Sequence, residues 1–182
     1  MHQNQKLLNV SEASVVLSVK GEVKQLRAQE ELSRIYDRHV DTVYRVCLMY
    51  MKNRHDTEDM VQNTFIRLMK DKTVFENEEH EKAWLIRTAI NLCKDYFRSW
   101  WSKTVGLDKV AETADEPAGT DGILEKLLTL PSKYRTAIYM YYYEGYSTVE
   151  IARILGKKQS TVRGYLHTGR KLLKMEMEGE SN

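Results

Sequence analysis

From Glu30 to Asn53 the apolar residues Leu32, Ile35, Tyr36, Val40, Val43, Cys47 and Met51 recur every three or four positions. That is the period of one face of an α-helix. The pattern restarts in NRHDTEDMVQNTFIRLMK, where Asp56 is a candidate cap and Thr57, Glu58 and Asp59 fill the first turn. Val61, Phe65 and Leu68 then face a core. A third helix starts near Asn77 and runs through Trp84, Leu85, Ala89, Leu92, Tyr96 and Trp100.

The period is then lost. SKTVGLDKVAETADEPAGTDG, residues 102–122, mixes Pro, Gly, Thr and acid without an apolar repeat, as a flexible linker does. Helical spacing resumes with ILEKLLTL, and again after Pro131, a residue suited to a helix start. Gly145 is a candidate C-terminal cap. In YSTVEIARILG, Ser147 and Glu150 have capping-box spacing, and Gly156 ends the helix. A last helix begins near Gln159 or Ser160.

The sequence therefore predicts an all-α protein of two small helical domains. Residues 1–29 form an extension without an assigned role, 30–101 the first domain, 102–122 the acidic linker and 123–182 the second domain. Composition agrees: of 182 residues 42% are hydrophobic, 30% are charged and only two are proline. No apolar run approaches the roughly 20 residues that span a bilayer, and the N-terminus lacks the pattern of a secretory signal. Cys47 and Cys93 stand singly, without metal-ligand spacing, as reduced thiols of a cytoplasmic protein do. His80-Glu81 lacks the second histidine of a zinc protease motif, and no Gly-rich phosphate loop occurs. No catalytic, cofactor-binding or metal-binding residues are expected.

Net charge is only +2, but its distribution is uneven. Thr148 to Lys174 holds seven Lys or Arg against one acid, Glu150. Ile151, Ala152, Leu155, Val162, Leu166 and Leu173 form an apolar seam across two helices joined at Gly156. This is helix-turn-helix spacing, with a polar face that suits phosphates. Gly164 and Gly169 interrupt the second helix at a cost of about 1 kcal/mol each relative to Ala. Close approach to a DNA groove would account for both. A solvated face on a structural hairpin is the alternative. The five tyrosines of YMYYYEGY fit core packing better than base stacking. In the third helix Arg87, Asn91, Lys94 and Arg98 form a stripe with Trp100 and Trp101 at its end. Spacing alone fits a solvated face as well as an unpaired strand.

DTEDMVQNTFIRLMK and AWLIRTAINLCKDYFR resemble region 2 of bacterial sigma factors of the extracytoplasmic-function group. LPSKYRTAIYMYYYEGYSTVEIARILGKKQSTVRGYLHTGRKLL resembles region 4 of the same group. Two blocks in the right order, joined by a variable linker, make the resemblance specific. It implies a transcription initiation factor that binds core RNA polymerase, recognises the minus-thirty-five and minus-ten promoter elements and helps melt the DNA. It is not an enzyme.

The resemblance also implies residue roles. Asp59, Gln62 and Asn63 match the positions that dock on the β′ clamp helices, although the family usually has Glu in place of Asn63. The loop from Asp71 to Glu79, with Lys82, Arg87, Asn91 and Arg98, matches the surface that captures the minus-ten strand. Trp84 matches a family core position. Arg163, Gly164, His167 and Thr168 match the minus-thirty-five reading positions, where the family often has Ser for Gly164 and Arg for Thr168. By their place on the helix, Ser160 and Thr161 near its start suit phosphates, and Arg170 and Lys171 further along suit the DNA backbone. The implied partners are core polymerase (β′ clamp helices and β flap), promoter DNA and an anti-sigma factor, with no membrane insertion by this chain. Two rival readings are a self-sufficient dimeric repressor and a helical adaptor that binds only proteins. No dimerisation coiled coil is evident for the first.

Overall fold

The structure, a computed structural model, describes residues 29–104 and 122–179. The extension before residue 29 and most of the linker, 105–121, lie outside the described residues, as do the side chains of Trp100 and Trp101. The described residues are helical and contain no strand. The chain divides after His39 into two compact units. The described part of the first is helical segment 29–39, the beginning of helix α1 (29–51). Everything below concerns the second unit.

α1 ends at Lys52, whose φ of 63° turns the chain sharply. Asn53 then caps α2 (Arg54–Lys70): its side chain accepts from the Asp56 amide at 2.8 Å. The expected cap, Asp56, instead sits in the first turn, where its carboxylate accepts from Asn53 Nδ2. Asn53 wins the position because a cap precedes the residue whose amide it satisfies by two or three places. Asn77 caps α3 (Glu78–Thr104) through the His80 amide at 2.8 Å. α2 packs along α3. Val61, Phe65 and Leu68 are buried, as are Leu85, Ile86, Ala89, Ile90 and Cys93.

The second set contains α4 (Gly122–Thr129), α5 (Ser132–Tyr142), α6 (Thr148–Leu155) and α7 (Gln159–Gly179). α7 packs against each of the other three. Ser147 and Glu150 complete a reciprocal capping box at the start of α6. Gly156 closes that helix in the left-handed conformation at φ 63°, which a side chain would strain. Gln159 Nε2 donates to Thr148 Oγ1 at 2.9 Å, tying the starts of α6 and α7 together. These local bonds hold the angle of the helix-turn-helix.

The two sets face each other directly. α6 packs on α3. Arg135, 2% exposed, sends its guanidinium between two helix ends. It donates to the carbonyls of Met49 and Tyr50 in the last turn of α1, and to Leu128 and Leu130 around the end of α4. Helix C-termini leave carbonyls without intrahelical partners and carry negative partial charge. One cation thus caps two helices. Tyr50 lies beside it, its phenol pushed up to about 12 by burial.

Candidate nucleic-acid and polymerase interfaces

On α7 the buried residues Val162, Leu166 and Gly169 lie along one side. Ser160, Arg163, Gly164, His167 and Lys171 are exposed along the other, each within one helical turn of the next. Thr161 and Thr168 are half-buried at its edges. Lys157 and Lys158 extend the exposed basic surface into the turn. Arg170 leans away from this face: its guanidinium carbon lies 5.8 Å from the ring centre of Tyr142 on α5.

The two glycines of α7 have different surroundings. Nothing lies within 4 Å of a Cβ built on Gly164. On Gly169 a Cβ would meet Ile138 Cδ1 at 2.7 Å and Tyr134 Cβ at 3.2 Å. The expectation that both keep a groove-facing surface clear is therefore corrected. Gly169 faces inward and lets α5 approach α7.

The tyrosines divide too. Tyr139 is fully buried and donates to Glu144 Oε1 at 2.5 Å, while Tyr141, Tyr142 and Tyr143 are exposed. Core packing accounts for the first, but not for the other three.

On α3, Arg87, Asn91 and Arg98 are exposed and Lys94 is half-buried, all along one side. Lys82 is not part of that stripe. It lies on the side that carries Leu85, Ile86, Ala89 and Cys93, and forms an ion pair of 2.5 Å with Glu144. The Lys94 ammonium is pushed down by burial and by the nearby positive charge of Lys157.

The loop before α3 has its own scaffold. The Asp71 carboxylate accepts from the amide and hydroxyl of Thr73, which pulls the Asp71 carboxyl below its ordinary value. Phe75 packs edge-on against Trp84 at 5.8 Å and against His80 at 5.7 Å. Trp84 is thus half-buried as a loop anchor. Val74 is left 85% exposed at the tip.

Asp59, Gln62 and Asn63 are exposed on one side of α2. Ile66 and Met69 continue this stripe, 43% and 65% exposed. Both are out of phase with the buried Val61, Phe65 and Leu68, which is the signal in the sequence that places them outside the core. The side chains of His55, Asp56 and Asp59 come close together, with His55 and Asp59 exposed and Asp56 half-buried.

Comparison with known proteins agrees with this geometry. Residues 35–102 match the family model for sigma-70 region 2, and residues 120–173 match that for sigma-70 region 4. SigW of Bacillus subtilis, an extracytoplasmic-function RNA polymerase sigma factor, is 29% identical over 88% of this chain and 97% of its own. SigL of Mycobacterium tuberculosis, of the same group, is 29% identical over 79% of this chain and 87% of its own. Among solved structures, the sigma factor RpoE of Bartonella quintana, determined with the anti-sigma factor NepR, superposes with a TM-score of 0.63 at 19% identity. It covers 82% of this chain and 98% of its own. CnrH, determined with the cytosolic domain of CnrY, gives 0.57 at 20% identity, covering 83% and 90%.

Two helical blocks matching two regions of one family, in order, define a promoter-recognition factor for transcription initiation. The chain belongs to the sigma-70 family, in its extracytoplasmic-function group. No helix among the described residues is long and apolar enough to cross a membrane.

Proposed function

We propose that this chain divides its work between the two helical sets. Residues 30–101 dock on core polymerase and hold the minus-ten strand, and residues 123–182 read the minus-thirty-five element. The acidic linker 102–122 joins them. The factor acts by binding rather than by catalysis, in the cytoplasm, and an anti-sigma factor holds it until it is needed.

The observation that carries this reading is the face of α7. Ser160, Arg163, Gly164, His167 and Lys171 share one exposed strip on a helix whose other side is anchored in a core. Arg163 has the reach and fork geometry to read a guanine edge in the major groove. Gly164 has open space over it, so backbone and DNA can come close. Ser160 and Thr161 sit near the helix start, where amides and dipole favour a phosphate. Thr168 borders the reading strip and Lys171 holds backbone further along, while Arg170, also expected to hold backbone, leans towards Tyr142 instead.

On α2, Asp59, Gln62 and Asn63 meet the β′ clamp helices, with Ile66 and Met69 adding apolar contact. On α3, Arg87, Asn91 and Arg98 track the captured strand, while Lys82, the fourth expected contact, pairs with Glu144 on another side of the helix. Unstacking bases costs a few kcal/mol per step, which pockets for flipped bases offset. The β flap is the expected second polymerase contact, through the residues after 122.

Transcription in vitro with core polymerase, this protein and a genomic DNA library tests the reading. Discrete promoter-dependent transcripts are expected. Duplex binding without polymerase and no transcripts would favour a repressor instead.

A further inference from the structure

Only Gly156, Lys157 and Lys158 join α6 to α7. α6 is fixed at both ends. The capping box of Ser147 and Glu150 locks its first turn. The amides of Gly156 and Lys157 return to the carbonyls of Arg153 and Ala152 at 3.3 and 2.9 Å, closing its last turn. At the start of α7 the Lys158 carbonyl accepts from the Thr161 and Val162 amides at 3.0 and 3.2 Å. The Lys158 side chain has no acceptor with which to cap the first turn.

What then sets the angle of α7 lies between the helices. Ile151, Val162 and Leu166 are buried there, but apolar contact is non-directional and lets helices rock. The bond from Gln159 Nε2 to Thr148 Oγ1 at 2.9 Å has a direction. Its acceptor stands next to the capped Ser147, in the locked first turn of α6. Its donor is half-buried between the exposed Lys158 and Ser160. Arg163 lies four residues beyond Gln159, about 6 Å along the same side of α7. A tilt of about 10° about Gln159 therefore moves the Arg163 backbone by about 1 Å, enough to spoil a site that needs its groups placed to within about 0.5 Å.

From this geometry we infer that Gln159 is a positioning residue for promoter reading: by holding Thr148 it sets the angle at which α7 presents Arg163 to the groove. This role rests on the assignment of α7 to the minus-thirty-five element. Gln159 acts through Thr148 and not by touching a base, so its loss affects discrimination between sequences. Attraction to phosphates, which every sequence shares, is left in place.

Holoenzyme reconstituted with Gln159→Ala, with Thr148→Val or with both changes is titrated against a promoter duplex and against the same duplex with a scrambled minus-thirty-five element. Gln159→Ala should lower the affinity ratio between the two duplexes about threefold to tenfold, as loss of one hydrogen bond does. Its affinity for the scrambled duplex should stay within about twofold of the parent's. Thr148→Val should behave alike, and the double variant should lose no more than either single one, because both changes break one bond. Circular dichroism checks that all three keep the helices. The role is overturned if Gln159→Ala discriminates as the parent does, or if it weakens both duplexes equally. It is also overturned if the two single losses add in the double variant, which would place Gln159 on the DNA itself. A parent holoenzyme that does not distinguish the two duplexes would instead overturn the assignment of α7.

Discussion

The guanidinium of Arg135 donates to the main-chain carbonyl of Met49, a residue 86 positions earlier in the chain. The same side chain also serves Leu128 and Leu130 at the end of α4. One residue of α5 therefore terminates a helix in each half of the molecule. Arg135→Met fills the space but leaves these buried carbonyls without a donor. It should cost at least about 2 kcal/mol, given about 1.5–3 for a single hydrogen bond to a charged group. Urea denaturation followed by circular dichroism checks this. Arg135→Lys should recover little, since an ammonium cannot reproduce the planar fork. Full rescue by Lys would show that charge alone matters.

The two glycines of α7 should respond in opposite ways to the same change. Gly164→Ala meets no neighbour and gains helix propensity, so it should stabilise by up to about 1 kcal/mol. Gly169→Ala drives a methyl towards Ile138 and Tyr134. Overpacking of about 1–3 kcal/mol exceeds the propensity gained, so the thermal midpoint should fall. Equal gains at both positions would contradict the packing of α5 on α7.

Ser147→Ala removes the acceptor for the Glu150 amide and should cost about 1 kcal/mol. The capping box also sets an acid dependence. Hydrogen bonds from Ser147 hold the Glu150 carboxyl below its ordinary value. Its contribution is therefore complete above the unfolded carboxylate pKa, and is lost as pH falls through the lower folded value. Glu150→Gln should flatten this part of the stability profile in acid titrations, while the profile above neutrality keeps its shape.

Cys47 and Cys93 are buried side by side, and a hydrogen bond between them together with burial pushes the Cys47 thiol far above its ordinary range. Thiolate is the reactive form. Neither cysteine should react with a thiol reagent in the folded protein over the time in which both react in denaturant. A rapid native reaction of either would mean that the helix core opens readily.

What is legible in the sequence depends on what each residue faces. Local signals were legible. The capping box of Ser147 and Glu150, the stop at Gly156 and the start at Asn77 all need only neighbours in the chain. The side of α7 that Val162 and Leu166 bury follows from spacing alone. Features that depend on a second surface were not legible. Val46, Cys47, Leu48 and Met49 are buried in succession, which no one-sided period predicts, because the end of α1 is enclosed on every side. Gly169 looks like Gly164 until α5 is set against it. Lys82 reads as one more cation of α3 until Glu144 appears beside it. The pairing of Cys47 with Cys93 likewise needs α1 and α3 in place. Asp56 and Asn53 compete for one cap from three places apart, a difference that only backbone dihedrals resolve.

If the exposed face of α7 reads the promoter, bulk at Gly164 should interfere. Gly164→Leu points into open space, so the fold should persist, as circular dichroism will report. Holoenzyme reconstituted with this variant is titrated against one promoter duplex and against the same duplex with a scrambled minus-thirty-five element. The variant should lose the preference that the parent shows between the two. For comparison, Arg163→Ala should lose about 1–3 kcal/mol of discrimination at one base position. If Gly164→Leu discriminates between the duplexes as well as the parent does, α7 does not present this face to DNA.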